Sequence, residues 1–313
     1  NMGFRVMGKE IEDDILKRLE AGGKGKLNIV PGGSLEAIYL NQSDPWTEVE
    51  GERASVKSKH PSLTDPAVRT ALNLLVDRGS IQEHIYGRTG IATRNVLNQP
   101  ARFRSPNTKW EFSVDKANQI LDAAGWKRGS DGIRAKDGKK LKYVFQTSTN
   151  APRQKVQAIV KQACQRAGID LELKSVTASV YFSSDVANPD TFTKFFCDIQ
   201  MYNVTMLRPD PERWMEIFCS WEVAAKANKW QGRNHTRWRN DEYDRTFRAA
   251  ESELDPVKRV ALFIKMNELL VEDKVIIPLV NRPSVSAQSN RLRAPMSGWD
   301  NDVWLLKDWY REA

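Results

Sequence analysis

With 313 residues, 40% of them apolar and 28% charged, the chain has length for two domains or one large one and enough apolar residues for a folded core. No run approaches the roughly 18 apolar residues of a membrane span, and the first 26 residues lack the apolar centre of a signal peptide, so either the protein is cytoplasmic or an N-terminal part has been removed. The net charge of +8 comes from Lys and Arg mixed with 40 acidic residues, without a block of one sign, which points to a solvated basic surface and away from nucleic acid. Cys164, Cys197 and Cys219 form no C-x-x-C pair; one disulfide with a free thiol, or three buried thiols, both fit.

Residues 1–26 read as a helix with Ile11, Ile15, Leu16 and Leu19 as its apolar stripe, ending at Gly22-Gly23. Two short strands, Leu27–Val30 and Leu35–Leu40, flank the turn Pro31-Gly32-Gly33, and residues 42–62 read as a polar connector. Asp65-Pro66 starts a helix, because Asp caps free N–H groups and Pro fits the first turn. Residues 86–106 read as irregular. Ser113 caps a further helix stopped by Gly125, and residues 127–140 read as an exposed hairpin or loop. Leu141–Thr147 is a strand, a helix runs from near Ala151 to Gly168, and Ile169, Leu171 and Leu173 alternate on the next strand. This βαβ unit predicts two parallel strands, whose ligands bind beyond the carboxyl ends.

The segment 195–238 is the most distinctive. It opens with alternation expected of a strand from Phe195 to Tyr202, breaks at Pro209-Asp210-Pro211, and is then dense in Trp and Arg: Trp214, Trp221, Trp230, Arg233, Arg237 and Trp238. Flat amphipathic surface at that density suits either a packed core or the wall of a cleft. Asp210 reads as a helix cap. Asn240 and Asp255-Pro256 start two more helices, Val275–Val280 and Ser284–Gln288 read as strands, and Trp299, Trp304 and Trp309 read as anchors of the tail.

Five segments in this order resemble family 5 extracellular solute-binding proteins, the peptide-type binding components of bacterial ABC importers: KHPSLTDPAVRTALNLLVDRGSI, SVDKANQILDAAGW, the βαβ unit from Leu141 to Ser175, CDIQMYNVTMLRPDPERWMEIF, and NDEYDRTFRAAESELDPVKRVALFIKMNELLVEDKVIIPL. The resemblance implies an α/β fold of the periplasmic-binding-protein type II kind, one lobe nearly complete with fragments of the other. Residues 1–42 are then a remnant of the first lobe, 43–276 the second lobe, and 277–313 a return segment. Complete members are longer, which makes this chain an expected fragment whose first-lobe remnants are shielded by self-association, rearrangement or mobility. The implied role is non-enzymatic: capture of a peptide or peptide-like solute in the periplasm and delivery to a membrane permease.

In peptide-binding members an Asp shortly before the D-P pair holds the ligand's amino group; that position falls at Leu207, with Arg208 beside it. Dipeptide binders place an Arg at the end of the strand before the long helix; that position falls at Thr147. Both charges are missing here, which favours as an alternative an anionic, sugar-like or opine-like ligand. The candidate ligand-binding residues are Thr147, Tyr202, Asn203, Thr205, Arg208 and Trp214. His60, His84 and His235 lie far apart without ligand-like spacing, so no metal or cofactor is expected. There is no G-x-S-x-G, H-E-x-x-H or P-loop; an enzyme reading rests only on Asp198 or Asp210 acting with His235. The nucleic-acid reading rests on the charge and the Trp/Arg segment.

Overall fold

The computed structural model describes residues 13–299 and 305–312. The first twelve residues of the expected N-terminal helix, with Ile11, and the expected anchor Trp304 lie outside this range. In chain order the elements begin with α1 (Asp13–Ala21), β1 (Gly25–Leu40), α2 (Pro66–Leu74), α3 (Arg78–Ile81), β2 (Ile91–Ala92) and α4 (Val114–Ala123). A small meander follows, β3 (Lys127–Arg128), β4 (Arg134–Lys136) and β5 (Lys139–Lys140). Then come β6 (Lys142–Ser148), α5 (Ala151–Arg166), β7 (Asp170–Val176), α6 (Ala178–Tyr181), β8 (Ile199–Thr205), α7 (Glu212–Glu216), α8 (Asp241–Ser252), α9 (Pro256–Asp273) and β9 (Ile276–Ser289). A short pair, β10 (Leu292–Arg293) and β11 (Tyr310–Arg311), closes the described chain.

Local side chains start the helices as the sequence predicts. The Asp65 carboxylate accepts from Ala67 N, Ser113 Oγ from Lys116 N, Asn150 Oδ1 from Arg153 N, Asn240 Oδ1 from Tyr243 N, and Asp255 from Val257 and Lys258 N. Each satisfies N–H groups that a helix start leaves unpaired. The α1 stripe is different: Leu16 is buried, but Ile15 and Leu19 are exposed. This helix is held instead by Arg88, which pairs with Asp13 at 2.8 Å and Glu20 at 2.9 Å.

Six strands form one mixed sheet in the order β2-β9-β1-β8-β6-β7. β6 is parallel to β7 and to β8, with Thr147 opposite Met201, whereas β1 is antiparallel to both β8 and β9. Alternation divides the core in two. Ile38, Leu40, Ile199 and Met201 face one layer with Val68, Leu72, Val156 and Val160 of α2 and α5. Ala37, Tyr39 and Tyr202 face the other, with Phe247, Phe263 and Met266 of α8 and α9. Helices therefore cover both faces.

Three strand boundaries differ from expectation. β1 is a single strand through Pro31-Gly32-Gly33, and β9 runs unbroken through Arg282-Pro283. Val30 pairs with Ser284 and Ser34 with Arg282, so residues 31–33 bulge opposite Pro283. The bulge absorbs both prolines, which cannot donate to the ladder, without ending the ribbon. Gly33 fits there because a Cβ would lie 2.5 Å from the Met206 carbonyl oxygen. The strand expected from Phe195 begins only at Ile199. Before it, Phe195 takes φ +52, and Asn41 Nδ2 holds the turn by donating to the Phe195 and Cys197 carbonyls at 2.8 and 3.1 Å. All three cysteines are free and buried.

Asp198, at the start of β8, ties these parts together. It is 2% exposed, and its carboxylate accepts from Trp46 Nε1 at 2.8 Å, His60 Nε2 at 2.9 Å and Val144 N at 2.7 Å. His60 Nδ1 accepts from the N–H groups of Ser62 and Leu63, which places the ring proton on Nε2. Asp198→Ala strips three donors of their acceptor and is expected to cost about 3–5 kcal/mol in urea unfolding. Leu254→Ala, at a side chain 95% exposed, is the control and should stay within about 0.5 kcal/mol of the parent.

Candidate functional site

The parallel pairing of β6 and β8 brings their carboxyl ends to one edge of the sheet, where Ser148–Asn150 and Thr205–Arg208 emerge. Two cavities open beside the β8 end. The larger, about 280 Å³, lies on the α8–α9 face between the loop 184–194 and the loop 229–236. The smaller, about 130 Å³, is lined by Thr205–Arg208, Asp210, Arg213 and Trp214. Arg233 lines both.

Aromatic rings build the larger cavity. Tyr202 stacks on Tyr39 with centroids 4.1 Å apart and planes 7° apart, and Phe192 stands edge-on to Tyr202 at 5.0 Å and to His235 at 4.8 Å. The Tyr202 hydroxyl and His235 Nδ1 are hydrogen-bonded at 2.9 Å. Lys194 places its ammonium 4.7 Å from the Trp230 ring centroid, and burial holds its pKa below the usual lysine value. Burial also lowers the Arg237 pKa to about 10. For His235, burial first and then the charges of Arg237 and Arg233 push the pKa down to about 3, so the imidazole stays neutral.

The 229–236 loop is held in a costly backbone shape. Lys229, Trp230 and Arg237 have positive φ, as does Phe195 next to Lys194, so four of the nine such non-glycine residues described surround this cavity. Each costs about 1–3 kcal/mol and persists only where the surroundings over-determine it. Asn234 supplies the restraint: its Nδ2 donates to the Phe218, Cys219 and Trp238 carbonyls. Gly232 packs so closely that a Cβ would meet the Glu222 carbonyl oxygen at 2.4 Å.

The six sequence candidates fall in different places. Tyr202 lines the larger cavity; Thr205, Arg208 and Trp214 line the smaller. Trp214 is also core, edge-on to Phe218 and donating to the Val96 carbonyl at 3.2 Å. Asn203 points to the opposite face of the sheet, where it is the cross-strand partner of buried Glu36. Thr147 is fully buried and its hydroxyl donates to the Met201 carbonyl at 2.7 Å, so it lines neither cavity. Leu207, at the expected amine-binding position, is 75% exposed beside Arg208.

Phe192, Lys194 and His235 are cavity residues that the sequence candidates omit. For His235 and Trp230 the signal was the Trp/Arg-rich segment; the loop carrying Phe192 and Lys194 has no periodicity to mark it. The carboxylate–His235 pairings of the enzyme reading do not form: Asp198 bonds His60, and Asp210 bonds Arg259 at 2.7 Å while accepting from Glu212 N at 2.9 Å. Among the described residues no three His, Cys, Asp or Glu side chains are grouped to hold a metal.

A profile of the bacterial extracellular solute-binding proteins, family 5 middle region, matches residues 7–223. The chain belongs to this family. The oligopeptide-binding protein AppA of Bacillus subtilis (strain 168) is 23% identical over 290 residues, which cover 91% of this chain and 48% of AppA. The structure of AppA in complex with a nonapeptide superposes with TM-score 0.77 at 20% identity, covering 99% of this chain and 56% of that one. NikZ from Campylobacter jejuni, in complex with Ni(L-His), gives TM-score 0.77 at 17% identity and covers 96% and 56%. The fold is thus the α/β architecture of periplasmic binding proteins of type II, and the chain spans about half the length of these relatives.

A neutral buried His235 makes folding sensitive to acid. Its folded pKa, about 3, lies below the unfolded value of about 6.5, so the unfolded state binds the extra proton between these pH values and stability falls as pH drops through that window. Replacing His235 by Gln should shrink the loss of unfolding free energy between pH 7 and pH 4.5 by about 2–3 kcal/mol, measured by urea titration at both pH values.

Proposed function

We propose that this chain supplies one wall of the solute-binding cleft of an ABC importer's substrate-binding component, and that the solute is a peptide. The observation that carries this reading is the match of 99% of the chain to the AppA fold, combined with an aromatic cavity at the ligand-binding end of the parallel strands. Capture is non-enzymatic and takes place outside the cytoplasm, and a membrane permease receives the solute. The peptide reading is preferred over a sugar- or opine-like solute because relatives such as AppA are named for oligopeptides.

Residues 43–276 form the binding lobe in this proposal, with 1–42 and 277–313 leading to the other lobe. The outer half of the β1–β9 ribbon is consistent with that division, whereas its inner half, Ser34–Leu40 with Ile276–Arg282, is part of the binding lobe's own sheet. On β1, β8 reaches only Ser34–Leu40, whereas β9 pairs with β1 as far as Gly25 opposite Ser289, so the outer half of the ribbon extends beyond β8. Such a connector suits a hinge between two lobes.

Incubation of the 313-residue chain with a pool of tri- to nonapeptides and a matched pool of oligosaccharides, followed by native mass spectrometry, tests the proposal. Peptide adducts that are lost with Tyr202→Ala are expected. Exclusive retention of sugars, or peptide retention indifferent to Tyr202, would refute the assignment of this cavity.

A further inference from the structure

We infer that the larger cavity is a carboxylate-binding subsite, which takes the acidic side chain of a captured peptide on Lys194 and the Trp230 indole N–H, with Arg237 bonded to the backbone of Lys194. The inference rests on the peptide reading but on separate observations.

The first observation is an excess of donors. Trp230 Nε1 and Arg237 Nε are buried and without a hydrogen-bond partner. Arg237 is 6% exposed, and its other nitrogens donate to the Lys194 and His235 backbone carbonyls; no carboxylate among the described residues lies within ion-pair distance. Lys194 is 5% exposed, and its ammonium donates to the Val186 carbonyl while lying over the Trp230 and Phe196 rings. A backbone carbonyl and two ring faces satisfy an ammonium only in part.

The second is the charge balance. Lys194, Lys229 and Arg233 line the cavity, Arg237 is bonded to the Lys194 backbone with Glu52 as the carboxylate that acts on it, and Asp185 is the only acidic residue among the described lining residues. Buried cations without a counter-charge are costly. His235 stays neutral and adds no further positive charge. What is lacking is an acceptor with a single negative charge, small enough for about 280 Å³ and carried on an apolar stem that packs against Phe192, Val204 and Phe218. A glutamate or aspartate side chain has those properties. Its two oxygens match the ammonium and indole donors, and charge-assisted bonds of this kind are about twice as strong as neutral ones.

The test uses the ¹⁵N-labelled 313-residue chain, with the Trp230 indole resonance assigned through Trp230→Phe. It is titrated with Ala-Glu-Ala, its uncharged isostere Ala-Gln-Ala, and free glutarate. The glutamyl peptide is expected to shift the Trp230 resonance and to bind at least tenfold tighter than the glutaminyl one. Lys194→Met should reduce that preference below threefold. Trp230→Phe, which keeps an aromatic ring but replaces the indole and deletes its donor, should weaken Ala-Glu-Ala about three- to tenfold by calorimetry, with the far-UV circular dichroism of both variants unchanged. Equal binding of the two peptides, or binding that leaves Trp230 unmoved, overturns the subsite while peptide capture stands. A shift with glutarate but with neither peptide supports the subsite and removes the peptide reading. No shift with any of the three overturns the subsite.

Discussion

The fold depends on one buried carboxylate. Asp198 stands where the chain enters the sheet between β1 and β6, and it addresses both neighbours. Its backbone carbonyl accepts from Asn41 N at 3.0 Å at the end of β1, and its side chain accepts from Val144 N within β6. The same side chain draws in Trp46 and His60 from the connector, which orders a stretch with no helix or strand of its own. A carboxylate withdrawn from water is tolerable only when its lone pairs are occupied. Here three donors occupy them, and the register of β8 follows.

A second buried charge stabilises the ribbon. Glu36 is fully buried on β1; Arg153 Nε donates to it at 2.8 Å from the first turn of α5, and Arg282 approaches to 3.7 Å from β9. Glu36 therefore ties the long ribbon to the helix that covers the parallel strands. Two guanidiniums around one carboxylate leave positive charge under the strand ends, on the sheet face opposite the aromatic cavity. The carboxyl edge of the sheet is flanked by basic groups on both faces.

The cavity is organised before any ligand arrives. Asn234, Gly232 and the stacked pair Tyr39–Tyr202 hold a loop whose backbone is strained at Lys229, Trp230 and Arg237. Strain absorbed by the fold is freedom that a ligand need not remove on binding.

Much of this architecture was legible in the sequence because its signals are local. Asp65, Ser113, Asn150, Asn240 and Asp255 cap helices through atoms two or three residues away, and the apolar run Leu141–Thr147 and the Ile169–Leu171 alternation mark β6 and β7, although Leu173, read as continuing that alternation, is exposed. The βαβ unit then fixes their parallel pairing by the handedness of the crossover, which located the carboxyl edge and, with it, Tyr202, Thr205 and Arg208. Tertiary structure alone decided the rest. Whether Pro31-Gly32-Gly33 ends a strand or bulges depends on a partner some 250 positions away in β9. Thr147 and Asn203 carry side chains suited to a ligand, but Thr147 is buried within the fold and Asn203 stands on the sheet face opposite the cavity. The cavity collects Tyr39, Phe192, Lys194, Tyr202, Trp230 and His235 from four separate stretches, and no short-range pattern records a convergence set by packing and buried charge.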